Sequence, residues 1–146
     1  MREHEKKEWK PRKNAKPSNE LLESYCDKKG GITFAEVEVP DDPYPRPRVI
    51  DGVRFVARTR KLKTWFEEDL EYQRHFSRAR QRGSKVESIE VTPSYPYRGV
   101  VGQVVVGAWL LGKQGLRPNM VLVCQEVAPR LRRFLKKHGI EVWTPN

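Results

Sequence analysis

The chain reads as a single α/β domain with a mixed central sheet flanked by helices. Three observations lead there. Short apolar runs bounded by glycine and proline alternate with segments of helical periodicity. The C-terminal stretch ends in strand, helix and strand, a unit that implies a parallel pair and a right-handed crossover. The length of 146 residues suits one sizeable core.

Taken in order, residues 1–18, "MREHEKKEWKPRKNAKPS", hold too little apolar surface to offset the entropy of ordering, and read as a mobile basic arm. It carries seven Lys/Arg, among them Lys10, Arg12 and Lys13, against three Glu. The folded domain then spans 19–146. "SNELLESYCDKKGG" is a helix capped by Ser18 or Asn19, with acid in its first turn, lysines in its last and a Gly-Gly stop. Its apolar face is Leu21, Leu22, Tyr25 and Cys26. "ITFAEVEV" is a strand whose alternation slips, Ile32 and Phe34 giving way to Val37 and Val39. A proline-laden loop, "PDDPYPRPRV", leads to a second strand beginning at Asp51, with Val53, Phe55 and Ala57 on one face. "TWFEEDLEYQRHFSRARQRG" reads as an inserted helix opened by a Thr64–Glu67 capping box, with Trp65, Tyr72, Phe76 and Ala79 at helical spacing. Its acids precede its arginines, as the helix dipole favours. "KVESIEV" is the third strand. "YRGVVGQVVVGAWLLGKQG" is apolar all round, and periodicity alone leaves it helix or strand. "MVLVCQEV", "APRLRRFLKKHG" and "IEVWTP" close the chain as strand, helix and strand. The expected order is α-β-β-(α)-β-α-β-α-β.

The bulk numbers narrow the partners. With 29 Lys+Arg against 19 Asp+Glu the net charge is +10, which draws polyanions, nucleic acid before an acidic membrane surface. The longest apolar stretch, 99–111, is too short and glycine-rich to span a bilayer. Cys26 and Cys124 form neither a ligand pattern nor a disulfide framework, and His4, His75 and His138 lack metal-ligand spacing. Two buried thiols in a reduced, intracellular (cytoplasmic) protein is the expectation.

Two carboxylates carry the chemistry. Asp51 starts one strand and Glu90 ends another. If those strands pair antiparallel around the inserted helix, the start of one lies beside the end of the other and the carboxylates converge. Such a pair can hold Mg²⁺ while leaving positions open to water and phosphate. Val86, Ser88, Glu90 and Thr92 share one face of the third strand, and Glu87, Ile89 and Val91 share the other.

On "RVIDGV", "SIEV", "GVVGQ" and the closing "NMVLVCQEVAPRLRRFLKKHGIEVW", the chain resembles the PD-(D/E)XK, or restriction-endonuclease-like, nuclease superfamily, from about Asn19 to Pro145. The resemblance implies a restriction-endonuclease-like sheet, with the apolar segment as a helix packed on it. It implies metal ligation by Asp51 and Glu90, with Glu23 (or Glu20) from the first helix, and a site role for Gln103, using Mg²⁺ or Mn²⁺. The position of the family's lysine is Thr92, and the aromatic expected four residues after the glutamine is Gly107. Among possible replacement cations, Lys85 faces the other side of the strand and Lys113 lies nearly three helical turns beyond Gln103. Arg98, just past the Pro93–Pro96 turn, is the preferred one.

Two functions follow as expectations. One is a metal-dependent DNA endonuclease whose arm (Lys10, Arg12, Lys13) and inserted helix (Arg74, Arg78, Arg80, Arg82) hold phosphate without reading sequence. The other, favoured by Thr92, is an inactive nuclease-fold protein that binds nucleic acid or scaffolds a larger complex. A homodimer or a subunit of such a complex fits either. A nucleotide-binding domain is disfavoured, because no glycine-rich phosphate loop follows a strand.

Overall fold

The computed structural model describes residues 16–64 and 67–145. Six strands form one mixed sheet: β1 (Gly31–Val39), β2 (Arg48–Phe55), β3 (Arg60–Thr64), β4 (Val86–Thr92), β5 (Pro118–Cys124) and β6 (Ile140–Trp143), in the spatial order β3-β1-β2-β4-β5-β6. Four helices flank it: α1 (Lys16–Lys29), α2 (Asp69–Arg82), α3 (Arg98–Lys113) and α4 (Pro129–Lys137). β2 runs antiparallel to both β1 and β4, whereas β1–β3, β4–β5 and β5–β6 are parallel. The α/β class, the antiparallel β2–β4 pair and the closing parallel β5–β6 unit agree with the sequence reading. The apolar segment is a helix, α3.

The helices divide unequally between the two faces. α1 alone packs Leu21, Leu22, Tyr25 and Cys26 against Ala35, Ile89, Val121 and Val123. On the other face, Tyr72, Phe76 and Ala79 of α2 join Leu110 and Leu111 of α3 over Phe34, Val53 and Phe55. Leu135 of α4 meets Val100 and Val104 of α3 over Leu122, Cys124, Ile140 and Val142. Both cysteines are buried and free. No described helix is long and apolar enough to cross a membrane.

Four expectations need correction. β2 runs Arg48–Phe55, so Asp51 lies within the strand rather than at its start, and Ala57 lies beyond its end. α1 is already helical at Lys16, ahead of the Ser18/Asn19 cap, and has no acid in its first turn; Pro17 is compatible there, because a first-turn N–H has no intrahelical partner anyway. Residues 60–64, unassigned by sequence pattern except for Thr64 as the helix start, are instead strand β3, which lies parallel to β1 along Gly31↔Arg60 to Ala35↔Thr64. The Thr64–Glu67 capping box therefore does not form: Thr64 closes a strand, and α2 starts at Asp69 with no side-chain cap. The edge of β1 offered an open row of backbone partners, and tertiary pairing overrode the local helix signal. Trp65 lies outside the described residues, as do Lys10, Arg12 and Lys13 of the arm.

The slip in the β1 pattern has a physical cause. Glu36 takes a left-handed φ of 57° inside the strand, a conformation rare for a side-chain-bearing residue and costly by roughly 1–3 kcal/mol. The turn it imposes resets the alternation, so Phe34 and Val37 both enter the α2/α3 core while Ala35 faces α1. In the β1–β2 register Glu36 falls opposite Asp51, between the pairs Ala35↔Gly52 and Val37↔Ile50. The same slip recurs on β2, where Ile50, Val53 and Phe55 share a core. The sheet is thus bent where the first candidate carboxylate sits.

Candidate metal site at the β2–β4 junction

The β2–β4 ladder runs from Phe55↔Val86 to Gly52↔Ile89 and then stops. Beyond that point Asp51 replaces the backbone, its Oδ2 accepting the Val91 N–H at 2.8 Å. The carboxylate is thereby held by β4 itself, immediately beside Glu90. Gly52 follows because α1 closes on the bend: a Cβ there would stand 3.3 Å from Thr33 Cγ2 and 3.4 Å from Leu22 Cδ1.

Glu90 points from β4 toward α3 and is 3% exposed. A Cβ at Gly107 of α3 would lie 3.6 Å from Glu90 Oε1, 3.4 Å from Ser88 Oγ and 3.5 Å from Ile50 Cγ1. Glycine there lets the helix lie close over the carboxyl. Glu90 Oε1 and Ser88 Oγ are both buried without a hydrogen-bond partner among the described residues. Burial pushes the Glu90 carboxyl far above the ordinary carboxylate range; the charge of Asp51 and a hydrogen bond to its side chain push the same way, while Arg48 and the Asp51 backbone pull down. A buried carboxyl with an unpartnered oxygen is an expensive feature for a core to keep, and such groups gather at functional sites.

Asp51 and Glu90 are therefore brought together. The other sequence-predicted residues divide. Glu23 is exposed on α1, and α1 covers the face of the sheet opposite Glu90, so it does not join the pair; Glu20 is likewise exposed. Among the described residues no group of three or more His, Cys, Asp or Glu is placed to hold a metal. Gln103 is exposed on α3, one helical turn before Gly107, at the rim rather than in the core that its apolar neighbours suggested. Thr92 is buried and registers with Cys124 of β5. Arg98 is exposed at the first residue of α3, and among the described residues no ion pair or hydrogen bond joins it to Glu90. The turn before it is tied elsewhere: Tyr95 Oη donates to Glu126, beyond β5, and Tyr97 lies against Gly99.

One cation that acts on the pair was missed by sequence reasoning. Arg48, at the start of β2, is close enough for its charge to act on Glu90. Its Nε is buried and has no hydrogen-bond partner among the described residues. "RPRVID" places it three residues before Asp51, and no local pattern shows that its charge acts on Glu90. Ser88 and Gly107 were missed for a similar reason, since their contact lies across two elements far apart in sequence. Arg74, Arg78, Arg80 and Arg82 are exposed on α2. A groove of about 680 Å³ lined by Tyr72, Phe76, Arg80 and Lys113 lies on that side of the molecule, and neither carboxylate lines it.

The donor set suits a hard divalent cation in one respect: it offers two adjacent carboxyls, one with an unpartnered oxygen. Mg²⁺ is commonly held by one or two carboxylates, with water and substrate phosphate completing its shell. No protein-family model, curated protein or solved structure matches this chain.

Proposed function

We propose that the chain is a metal-dependent nuclease that hydrolyses phosphodiester bonds in DNA, with Asp51 and Glu90 as the metal-holding pair. The observation that carries this reading is the junction itself, where a strand ladder ends so that Asp51 meets a buried, incompletely satisfied Glu90. The order of elements around the pair adds support through the restriction-endonuclease-like resemblance. Mg²⁺ or Mn²⁺ bound there supplies charge neutralisation at the phosphate and a more acidic water.

The protein's own groups have defined tasks. The Val91 N–H fixes the Asp51 carboxylate in one orientation. Glu90 must give up its proton to ligate, and Arg48 lowers the cost of that step. In the absence of a lysine at position 92, the Arg48 guanidinium is the positive charge best placed to face a substrate phosphate. Gly107 keeps the space above Glu90 clear of a side chain. The test is incubation of plasmid and linear DNA with Mg²⁺ or Mn²⁺, comparing wild type with Asp51→Ala and Glu90→Ala. Cleavage by the wild type and its loss in both variants is the expected result.

A second reading has a specific observation behind it. Thr92 is buried in the β4–β5 pairing and Arg98 stands apart, so the fold holds no lysine-like group on β4. A non-catalytic subunit that binds nucleic acid would leave DNA intact at every metal concentration, while its binding weakened with salt.

A further inference from the structure

α4 carries five cations in nine residues, "PRLRRFLKK", and no acid. Two of the five are accounted for by structure. Arg132 donates to the Val142 carbonyl at 2.7 Å and to Thr144 Oγ1 at 3.1 Å, fastening the helix to β6. Lys136 lines the cleft between α4 and the strand starts, with Lys85 and Asn119. The other three, Arg130, Arg133 and Lys137, are exposed, and no ion pair of theirs is found among the described residues. With Phe134, which is 57% exposed, they stand at i, i+3, i+4 and i+7, a single stripe on the outer side of the helix. The inner side is Leu131 and Leu135.

Helix electrostatics account for only part of this stripe: Lys137 stands in the last turn, where the dipole favours a cation, but Arg130 and Arg133 do not. In α2 the acids Asp69 and Glu71 occupy the first turn and Arg80 and Arg82 the last, the arrangement the dipole stabilises. In α4 Arg130 is the second residue, at the positive end, where a cation is disfavoured. Arg133 and Lys137 add like-charge repulsion at i, i+4. A free α4 is thus strained electrostatically in a way that a row of anions would relieve.

We infer that the outer face of α4 is a contact surface for the phosphate backbone of nucleic acid. The stripe runs over eight residues from Arg130 to Lys137, roughly 10 Å of helix, enough to meet about three phosphates of one strand at about 3.4 Å per nucleotide along the duplex axis. Phe134, its ring 4.6 Å from that of His138, sits among the cations where a sugar or an unstacked base would rest, the usual pairing of aromatic and cation in single-strand grooves. The surface deepens the nuclease reading by naming where its polyanion lies, and it rests on that reading only for the identity of the polyanion.

The experiment is fluorescence anisotropy of labelled DNA with the full chain in EDTA across a salt series. It compares wild type, Arg130→Gln/Arg133→Gln/Lys137→Gln, and Arg74→Gln/Arg78→Gln/Arg82→Gln. The α4 triple variant is expected to reduce the slope of log affinity against log salt by about 2–3, and the α2 variant to reduce it less. Phe134→Ala should weaken single-stranded DNA more than duplex. An unchanged slope in the α4 variant overturns the inference, as does a loss confined to phosphatidylserine vesicles with DNA binding intact. If the triple variant does not fold, Arg133→Gln alone carries the test, with a slope reduction of about 1 expected. Wild-type binding with this slope but no cleavage in Mg²⁺ upholds the surface while removing the metal-site reading.

Discussion

Two buried glutamates lie three residues apart on β4 and face opposite ways. Glu87 turns toward α1, where its Oε1 accepts from Tyr25 Oη at 2.7 Å and from Arg54 Nε at 2.7 Å. Arg54 is itself tied to the Gly30 carbonyl at 3.1 Å. Burial and the bond to Glu87 push the Tyr25 hydroxyl well above its ordinary range, so it remains a donor. Glu90 turns toward α3 and meets another acid, a glycine and an unpartnered serine. One carboxyl knits α1 to the sheet through a complete network. The other is kept where the fold alone gives it too few partners. A satisfied buried carboxylate marks architecture, and an incompletely satisfied buried carboxyl marks a place suited to something else.

That contrast can be broken most directly by activity. Glu90→Gln should lower Mg²⁺-dependent DNA cleavage by roughly 100-fold or more, the equivalent of several kcal/mol of lost charge stabilisation. The same variant should not lower stability, which separates a lost ligand from a lost fold.

Stability then sharpens the comparison in the opposite sense. Glu87→Ala strands the Arg54 guanidinium and the Tyr25 hydroxyl, and should cost about 3–5 kcal/mol in urea unfolding. Glu90→Gln mimics the protonated acid and should leave the metal-free protein unchanged at neutral pH, or more stable by up to about 1–3 kcal/mol. Equal losses in both variants would show that the two glutamates serve one structural purpose.

The pH dependence carries a definite sign. The folded state raises the Glu90 carboxyl above its ordinary value of 4.5, so the native protein keeps a proton that the unfolded chain releases. Its contribution to stability is fully present below about pH 4.5 and is lost as the pH rises toward the raised value. The difference in unfolding free energy between wild type and Glu90→Gln should therefore shift against the wild type from about pH 4.5 upward. Mg²⁺ must displace this proton, so its affinity should rise with pH, with proton uptake by buffer measurable in calorimetry.

Smaller effects test the neighbours. Arg48→Gln should reduce cleavage about tenfold, a loss of about 1.4 kcal/mol, and move the onset of Mg²⁺ binding to higher pH, because it removes the cation that eases Glu90 ionisation. Arg98→Gln should leave that onset in place. Ser88→Ala deletes a buried hydroxyl without a partner and should change stability by no more than about 1 kcal/mol, in either direction. A large loss there would mean that Ser88 holds a bound group essential to the fold.

Much of this architecture was legible in the chain. The α/β class, the α1 face and the closing parallel unit followed from periodicity and punctuation, which act over a few residues. The convergence of Asp51 and Glu90 followed from topology once the strand directions were assumed. The residues that surround them were not legible. β3 was hidden because its sequence, "RKLKT", is highly charged and its pairing with β1 is long-range. Glu23 was misplaced because helical spacing says which side of α1 is apolar, but not which face of the sheet α1 covers.

By itself, then, the sequence determined that two carboxylates on neighbouring strands would meet in a basic α/β domain, and even showed the phase slip in β1 between Phe34 and Val37. Only the tertiary structure decided what the slip does. Glu36 takes a positive φ opposite Asp51, and the β2–β4 ladder stops at the neighbouring Gly52. Arg48 rather than Arg98 acts by its charge on Glu90, and a glycine of α3 lies over an unpartnered oxygen. These outcomes depend on the sum of pairing, packing and backbone strain across elements distant in the chain, and no local pattern of residue types encodes them.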